Sequence, residues 1–471
     1  MLAFIILLAQ GCQEDYEMID PPMMTDYDDD LDEEVIMQEG LESYFVTQFG
    51  EGDMDGSSWE QALDVAGFRK LLSGTVDLSK STIYMSQGKY VMSEESGLGV
   101  IIRKNVKAIK GGYSQFSEGT DVSLRDIDAY VTVISGDVNG NKQADAGDCG
   151  LLLVKKGIIA IEGVTFQYGY VSEADASTTE CGSGIYVSGS TGDTSVELTD
   201  CVIRDCKSTV TTSLKQGGAA VFILSGQVRL NNVKLQNNMS VGRGGAVRCN
   251  SKTAVALMNN SLLKGNSHSG SWGNGIQMSE GHICMNNTTI IENEGTGAAL
   301  NGGGSFLLVN STIVGNASDS HGAVRCETGI GGDTKFVNNL LIAENPSAPG
   351  FNLNGSNKEA SSKGYNVYQR VTGITMSTLD TAYPNPVNGM LNEEGVYVWD
   401  INQLGTIKGY ATKQAVIEVA KSFNPVASPI ANLGEVFVEW VGEDAFGVDQ
   451  RGVTRNANKM QAGAYDAVLT N

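Results

Sequence analysis

The phrase NNTTIIEN begins at Asn286 and VNSTIVGN at Val309, two copies of one short unit. Taking the Asn, Asp or Gly that opens each copy as an anchor gives Gly163, Asp200, Asn232, Asn260, Asn287, Asn310 and Asn339, spaced 37, 32, 28, 27, 23 and 29 residues apart. A period of this size marks a solenoid, whose units cannot bury their apolar face alone and must stack to do so. Two residues before each anchor the side chain is always apolar, from Ile161 and Leu198 to Leu308 and Val337. Three residues after it the side chain is apolar again, from Phe166 to Ile342, and the residue just before it is mostly polar. That alternation has the strand period of two and lacks the three-to-four spacing of a helical repeat.

A second strand precedes each anchor. Its inward residues are Ile185, Val221, Val247, Ile276, Leu300 and Val324. Asn238, Asn266, Asn293, Asn316 and Asn345 stand six after their anchors, where stacked amides can bond from coil to coil. The expected fold class is all-β, a single-stranded parallel β-helix. The 58 glycines against 8 prolines suit many tight turns between short strands.

A solenoid must close its ends, because the terminal coils expose apolar core and strand edges. SSWEQALDVAGFRKLLSG (57–74) has Trp59, Leu63, Phe68 and Leu71 on one helical face, and is expected to be an N-terminal helical cap started by Ser57 or Ser58. TKQAVIEVAKSF (412–423) also has helical spacing and is expected to cover the C-terminal opening as part of an elaborated cap.

The chain opens MLAFIILLAQGC. Its apolar run is too short to span a bilayer and fits a signal sequence. LAQG followed by Cys12 resembles a bacterial lipobox, which implies cleavage before Cys12 and lipidation of that cysteine. The acidic residues just after it resemble the export signal of outer-membrane surface lipoproteins. The expected organisation is a signal peptide (1–11), an acidic flexible tether (12–50), the parallel β-helix with its N-terminal cap (51–360), and terminal coils with the C-terminal cap (361–471). A formal net charge of −23 argues against nucleic acid as a partner.

GSSWEQAL, IYMSQGKY, GGYS, TVISGD, the Asn-ended coils and the tail DQRGVTRNANKMQAGAYD follow in one order. Together they resemble bacterial surface β-helix proteins of the pectate-lyase-like superfamily, with a choice-of-anchor Q-like C-terminal end at Ser428, Pro429, Asp449, Gly452, Arg455 and Gly463–Tyr465. The resemblance implies a right-handed coil. It identifies architecture far better than activity, since one fold hosts many functions.

Residues that carry chemistry are few. Cys249 and Cys326 fall at inward offsets and Cys206 replaces a ladder asparagine, so these read as small buried groups. DVNGNKQADAGD (137–148) places Asp137, Asn139, Asn141, Asp145 and Asp148 at positions 1, 3, 5, 9 and 12 of an EF-like loop, a candidate calcium site, although position 6 is Lys142 rather than glycine and position 12 is Asp rather than Glu; the alternative is a polar turn between strands. The three histidines are His268, His282 and His321. SHG (320–322) occurs in polygalacturonases, but the paired aspartates that such catalysis needs are absent in order, and no catalytic residue is assigned.

The residues just after the inward positions are Tyr186, Phe222, Arg248, Gln277, Asn301 and Arg325. In register they would form an outward stripe of aromatic, amide and guanidinium groups, a surface suited to acidic sugars. The expected function is an adhesin-like or glycan-binding lipoprotein of the outer membrane, with a polysaccharide or glycoconjugate as partner. The alternative is a polysaccharide lyase or glycoside hydrolase using the same groove, with Arg248, Arg325 and His321 as candidates.

Overall fold

The computed structural model describes residues 38–464 apart from short internal stretches, among them 174–181, 317–321, 344–350 and 400–408. Cys12, Cys181, His321 and Asn345 lie outside the described residues.

The chain winds as a parallel β-helix with three walls. The first wall carries Leu152–Val154, Ile185–Val187, Val221–Ile223 and their successors. The second carries Gly157–Glu162, Thr194–Thr199, Gly226–Asn231 and theirs. The third is an 11-stranded ladder that starts at Gly88–Val91 and ends at Thr381–Ala382. Register is residue on residue: Ile185 pairs with Val221, Val221 with Val247, and Leu198 with Leu230. The inward rows fill the bore, with Ile185, Val221, Val247, Ile276, Leu300 and Val324 all fully buried. Each coil gains its apolar contacts from the coils on either side, which is why the repeat is obligatory.

The anchors explain themselves at the turn between the second and third walls. Asp200, Asn232, Asn260, Asn287 and Asn310 all hold positive φ, between 49° and 55°. That left-handed conformation is most accessible to Gly, Asn and Asp. In the last coil the structure corrects the anchor by one residue. Asn338, at φ 58°, occupies the turn, and Val309 pairs with Val337. Phe336 and Leu341 are therefore the inward residues there. Asn339 instead ties the next layer, bonding Asn366 Oδ1 at 3.0 Å and Leu308 O at 2.8 Å.

The amide ladder forms. Asn238 Nδ2 donates to Asn266 Oδ1 (2.9 Å), Asn266 to Asn293 (2.8 Å) and Asn293 to Asn316 (2.8 Å). The residue before each ladder position also takes positive φ, as at Asn237, Gly265, Glu292 and Gly315.

The ends differ from expectation. Ser43–Val46, placed in the tether from sequence, pairs in parallel with Thr82–Met85 and forms the first rung. The capping helix α1 is Val65–Ser73; it begins at Asp64, whose carboxylate accepts the Gly67 N–H at 2.7 Å, rather than at Ser57 or Ser58. Trp59 sits ahead of it in a short turn, edge-on to Phe45 with centroids 4.9 Å apart.

The C-terminal helices α2 (Lys413–Lys421) and α3 (Leu433–Val441) lie along the side of the solenoid, not over its end. Val416, Ile417, Phe423 and Phe437 pack on Val255, Leu257, Leu307 and Val309, residues that point outward from the second wall. Trp440 Nε1 donates to Glu197 Oε1 at 3.1 Å, and Ala464 N donates to Thr312 Oγ1 at 2.9 Å. Residues 411–464 thus brace several coils from outside.

Candidate functional site

The outward row of the first wall is in register, as the repeat requires. Tyr186 pairs with Phe222, Phe222 with Arg248, Arg248 with Gln277, Gln277 with Asn301, and Asn301 with Arg325. It is not an open stripe. Tyr186, Phe222, Arg248, Gln277 and Asn301 are each at most 2% exposed. Val171 and Val210 pack against the two aromatic members, so that Leu153, Val171, Tyr186, Val210 and Phe222 make a second apolar cluster. Tyr186 stacks on Phe222 at 5.4 Å, and the Arg248 guanidinium lies 5.4 Å from the Phe222 ring. Arg248 Nη2 donates to Asn250 Oδ1 at 2.7 Å, and Asn301 Nδ2 donates to Gln277 Oε1 at 2.9 Å. These five side chains hold coils together and are closed to a polymer.

Arg325 is the exception. It is half-buried, and its guanidinium carbon lies 5.7 Å from the centroid of the Trp272 ring. Arg243 approaches the same ring at 4.8 Å. Trp272 and Arg243 are half-buried as well. The three come from different coils: Arg243 from the turn entering Val247, Trp272 from the turn entering Ile276, and Arg325 from the strand two coils further on.

Close stacking of these turns depends on glycine. A Cβ on Gly217 would lie 1.5 Å from Arg243 O, and one on Gly297 would lie 1.5 Å from Trp272 O. His268 lies beneath them. Its Nε2 is 3.0 Å from Asn274 Oδ1, which also accepts the Gly297 N–H at 3.1 Å. Burial holds the His268 imidazole below its ordinary pKa, while Asn274 and the main chain of Trp272 and Gly242 pull the other way. His282 is also lowered by burial.

A lowered histidine pKa fixes the sign of one pH effect. As pH falls through the ordinary value of 6.5, the unfolded chain takes up protons before the folded one does, so stability falls. The thermal midpoint is expected to drop between about pH 7.5 and about pH 5.5, above the carboxylate range. The His268→Gln/His282→Gln double variant should show a shallower fall. An equal slope in the variant contradicts this assignment.

A cation and an aromatic face attract through the ring quadrupole. Here two guanidinium groups share one indole on a chain of net charge −23. Arg presents a planar fork that matches a carboxylate. No sequence signal for Trp272 was available beyond its place in a glycine-rich turn.

The five candidate metal ligands do fall on one loop, with its carboxylates wrapped by main-chain N–H groups and Lys89. Among the described residues no three His, Cys, Asp or Glu side chains form a metal cluster. Cys201, Cys206, Cys249, Cys284 and Cys326 are buried thiols, and Cys149 is buried as well. No described helix is long and apolar enough to cross a membrane.

Residues 127–341 match the family described as "Right handed beta helix region". The fold is accordingly a right-handed parallel β-helix. No curated protein matches the chain. Among solved structures, the pectate lyase Pel9A aligns over 92% of each chain, with 11% identity and a TM-score of 0.34.

Proposed function

We propose that this protein binds an acidic polysaccharide on the cell surface, held there by a lipid on Cys12, and that Arg243, Trp272 and Arg325 grip the ligand. The observation that carries the reading is the placement of two guanidinium groups at 4.8 and 5.7 Å from one half-buried indole. An indole face and planar donors suit a sugar ring, and paired cations suit its carboxylate or sulfate. The three residues are staggered along the solenoid axis, so the ligand runs across coils rather than around them.

The test is affinity for a polyuronate, measured by calorimetry on the wild type and three variants. Trp272→Ala and Arg243→Ala are each expected to weaken binding about tenfold, roughly 1.4 kcal/mol, and Arg243→Ala/Arg325→Ala by more. Higher salt should weaken the wild type most. Variants that fold normally and bind like the wild type overturn the site. Membrane fractionation of a Cys12→Ser variant tests the anchor, which fails if the variant stays in the membrane.

A further inference from the structure

We propose that the loop Asp137–Asp148 is a calcium site, independent of the arginine–tryptophan cluster. Position 6 is Lys142, where an EF-type loop turns sharply on glycine, and position 12 is the shorter Asp148, where such a loop carries glutamate. The backbone meets the first of these demands. Lys142 holds φ 60°, the left-handed conformation that the turn demands, with its side chain exposed. Its N–H donates to Asp137 Oδ2 at 3.3 Å, so the position-1 carboxylate faces the inside of the loop. Asn139 and Asn141 direct their side-chain amides onto the Asp145 carboxylate at 3.0 and 2.8 Å, which gathers positions 3, 5 and 9.

A second observation points to a cation. The Asp137 side chain is 0% exposed, and its Oδ1 receives no hydrogen bond. A buried carboxylate oxygen without a partner is costly and rare. Lys89 Nζ lies 2.8 Å from Oδ2, and with the exposed Lys142 it sets two positive charges against the three carboxylates of the loop. Asp148 is 6% exposed, and its carboxylate accepts the main-chain N–H groups of Val138, Asn139 and Asp145. A divalent ion answers both the orphan oxygen and the charge excess. Because the carboxylates alone do not converge, the ligand set must be mixed, with Asn Oδ1 and main-chain carbonyl oxygens completing it. Calcium tolerates such irregular, oxygen-rich sites, whereas magnesium demands a regular octahedron.

The experiment uses the purified full-length protein, stripped with a chelator and titrated with calcium chloride by calorimetry, with melting curves in calcium and in chelator. Expected are a saturable heat with Kd of roughly 10⁻⁴ to 10⁻³ M and a higher midpoint in calcium. Asp145→Asn should weaken binding about tenfold or more, and Lys89→Met, which removes the competing ammonium, should tighten it. Asp137→Asn should abolish it. If that variant fails to fold, Asp145→Asn, on the more exposed side of the loop, decides the matter. No heat at millimolar calcium with equal midpoints overturns the proposal, and so does wild-type affinity in Asp145→Asn. Polyuronate binding by the same protein is scored separately, so either proposal can fail alone.

Discussion

Replacing Arg455 by alanine is expected to detach residues 411–464 from the side of the solenoid while leaving the coils folded. Arg455 is 3% exposed. Its Nε donates to Val448 O at 3.0 Å, its Nη1 to Gln461 O at 3.2 Å, and its Nη2 to Gly463 O at 2.9 Å and Asn287 Oδ1 at 3.0 Å. One guanidinium therefore gathers three points of the C-terminal segment onto a turn asparagine of the solenoid. Asn287 returns the contact through Nδ2, to Ala445 O at 3.1 Å and Val448 O at 2.9 Å. Truncation leaves four buried acceptors without this donor, at about 1–3 kcal/mol for each that finds no substitute. The cheapest response is local release of the segment, which readmits water to them. Hydrogen exchange should show lost protection in 411–464 and at Val255, Leu257, Leu307 and Val309, whose outward side chains α2 and α3 cover. Protection at Val221–Ile223 should not change. Global unfolding, or no change in 411–464, contradicts this account of the brace.

Asn266→Ala is expected to be the most damaging single change inside the coils. Asn266 is fully buried. Its Oδ1 accepts from Asn238 N at 3.0 Å and Asn238 Nδ2 at 2.9 Å, and its Nδ2 donates to Leu235 O at 2.9 Å and Asn293 Oδ1 at 2.8 Å. Alanine leaves the Asn238 main-chain N–H and the Leu235 carbonyl buried and unsatisfied, a loss of roughly 2–5 kcal/mol. The expected readouts are a lower denaturant midpoint and faster exchange centred on the coils of Asn238 and Asn293. Asn266→Ser should not rescue, because its hydroxyl is too short to reach both neighbours. A midpoint within error of the wild type would show that the ladder is dispensable.

The repeat was legible because its rule is steric and local. Each turn needs a left-handed residue, so Asn, Asp or Gly recurs, and each wall alternates, so inward rows stand out. The last anchor was misplaced because Asn338 and Asn339 are adjacent and both are structural, one for its φ and the other for its amide. The C-terminal brace left a trace in runs that stop alternating, Ala254–Met258 and Phe306–Val309. A strand apolar on both faces is covered on both faces, and that signal identifies where α2 and α3 dock.

The outward stripe failed for a different reason. Pairing fixed its register, but whether Tyr186 or Phe222 meets water depends on where irregular segments such as the one bearing Val210 fold back, and loops carry no period. The same absence of period hid Trp272. Only the three-dimensional path of its turn brings it beside Arg243 and Arg325. The Asp137–Asp148 loop was readable from spacing alone as a candidate cation site, and the structure added the φ of Lys142 and the orphan oxygen of Asp137.

The most direct test of the central claim, an acidic-glycan grip at Arg243, Trp272 and Arg325, is to titrate the wild-type protein with a polyuronate and with the same polymer fully methyl-esterified. New reducing ends and unsaturated uronates are recorded in both samples. The account predicts saturable binding to the acid form, quenching or shift of indole emission, much weaker binding to the ester, and no new chain ends. Equal affinity for both forms, or none for either, contradicts it, and the appearance of chain ends would make the protein an enzyme instead.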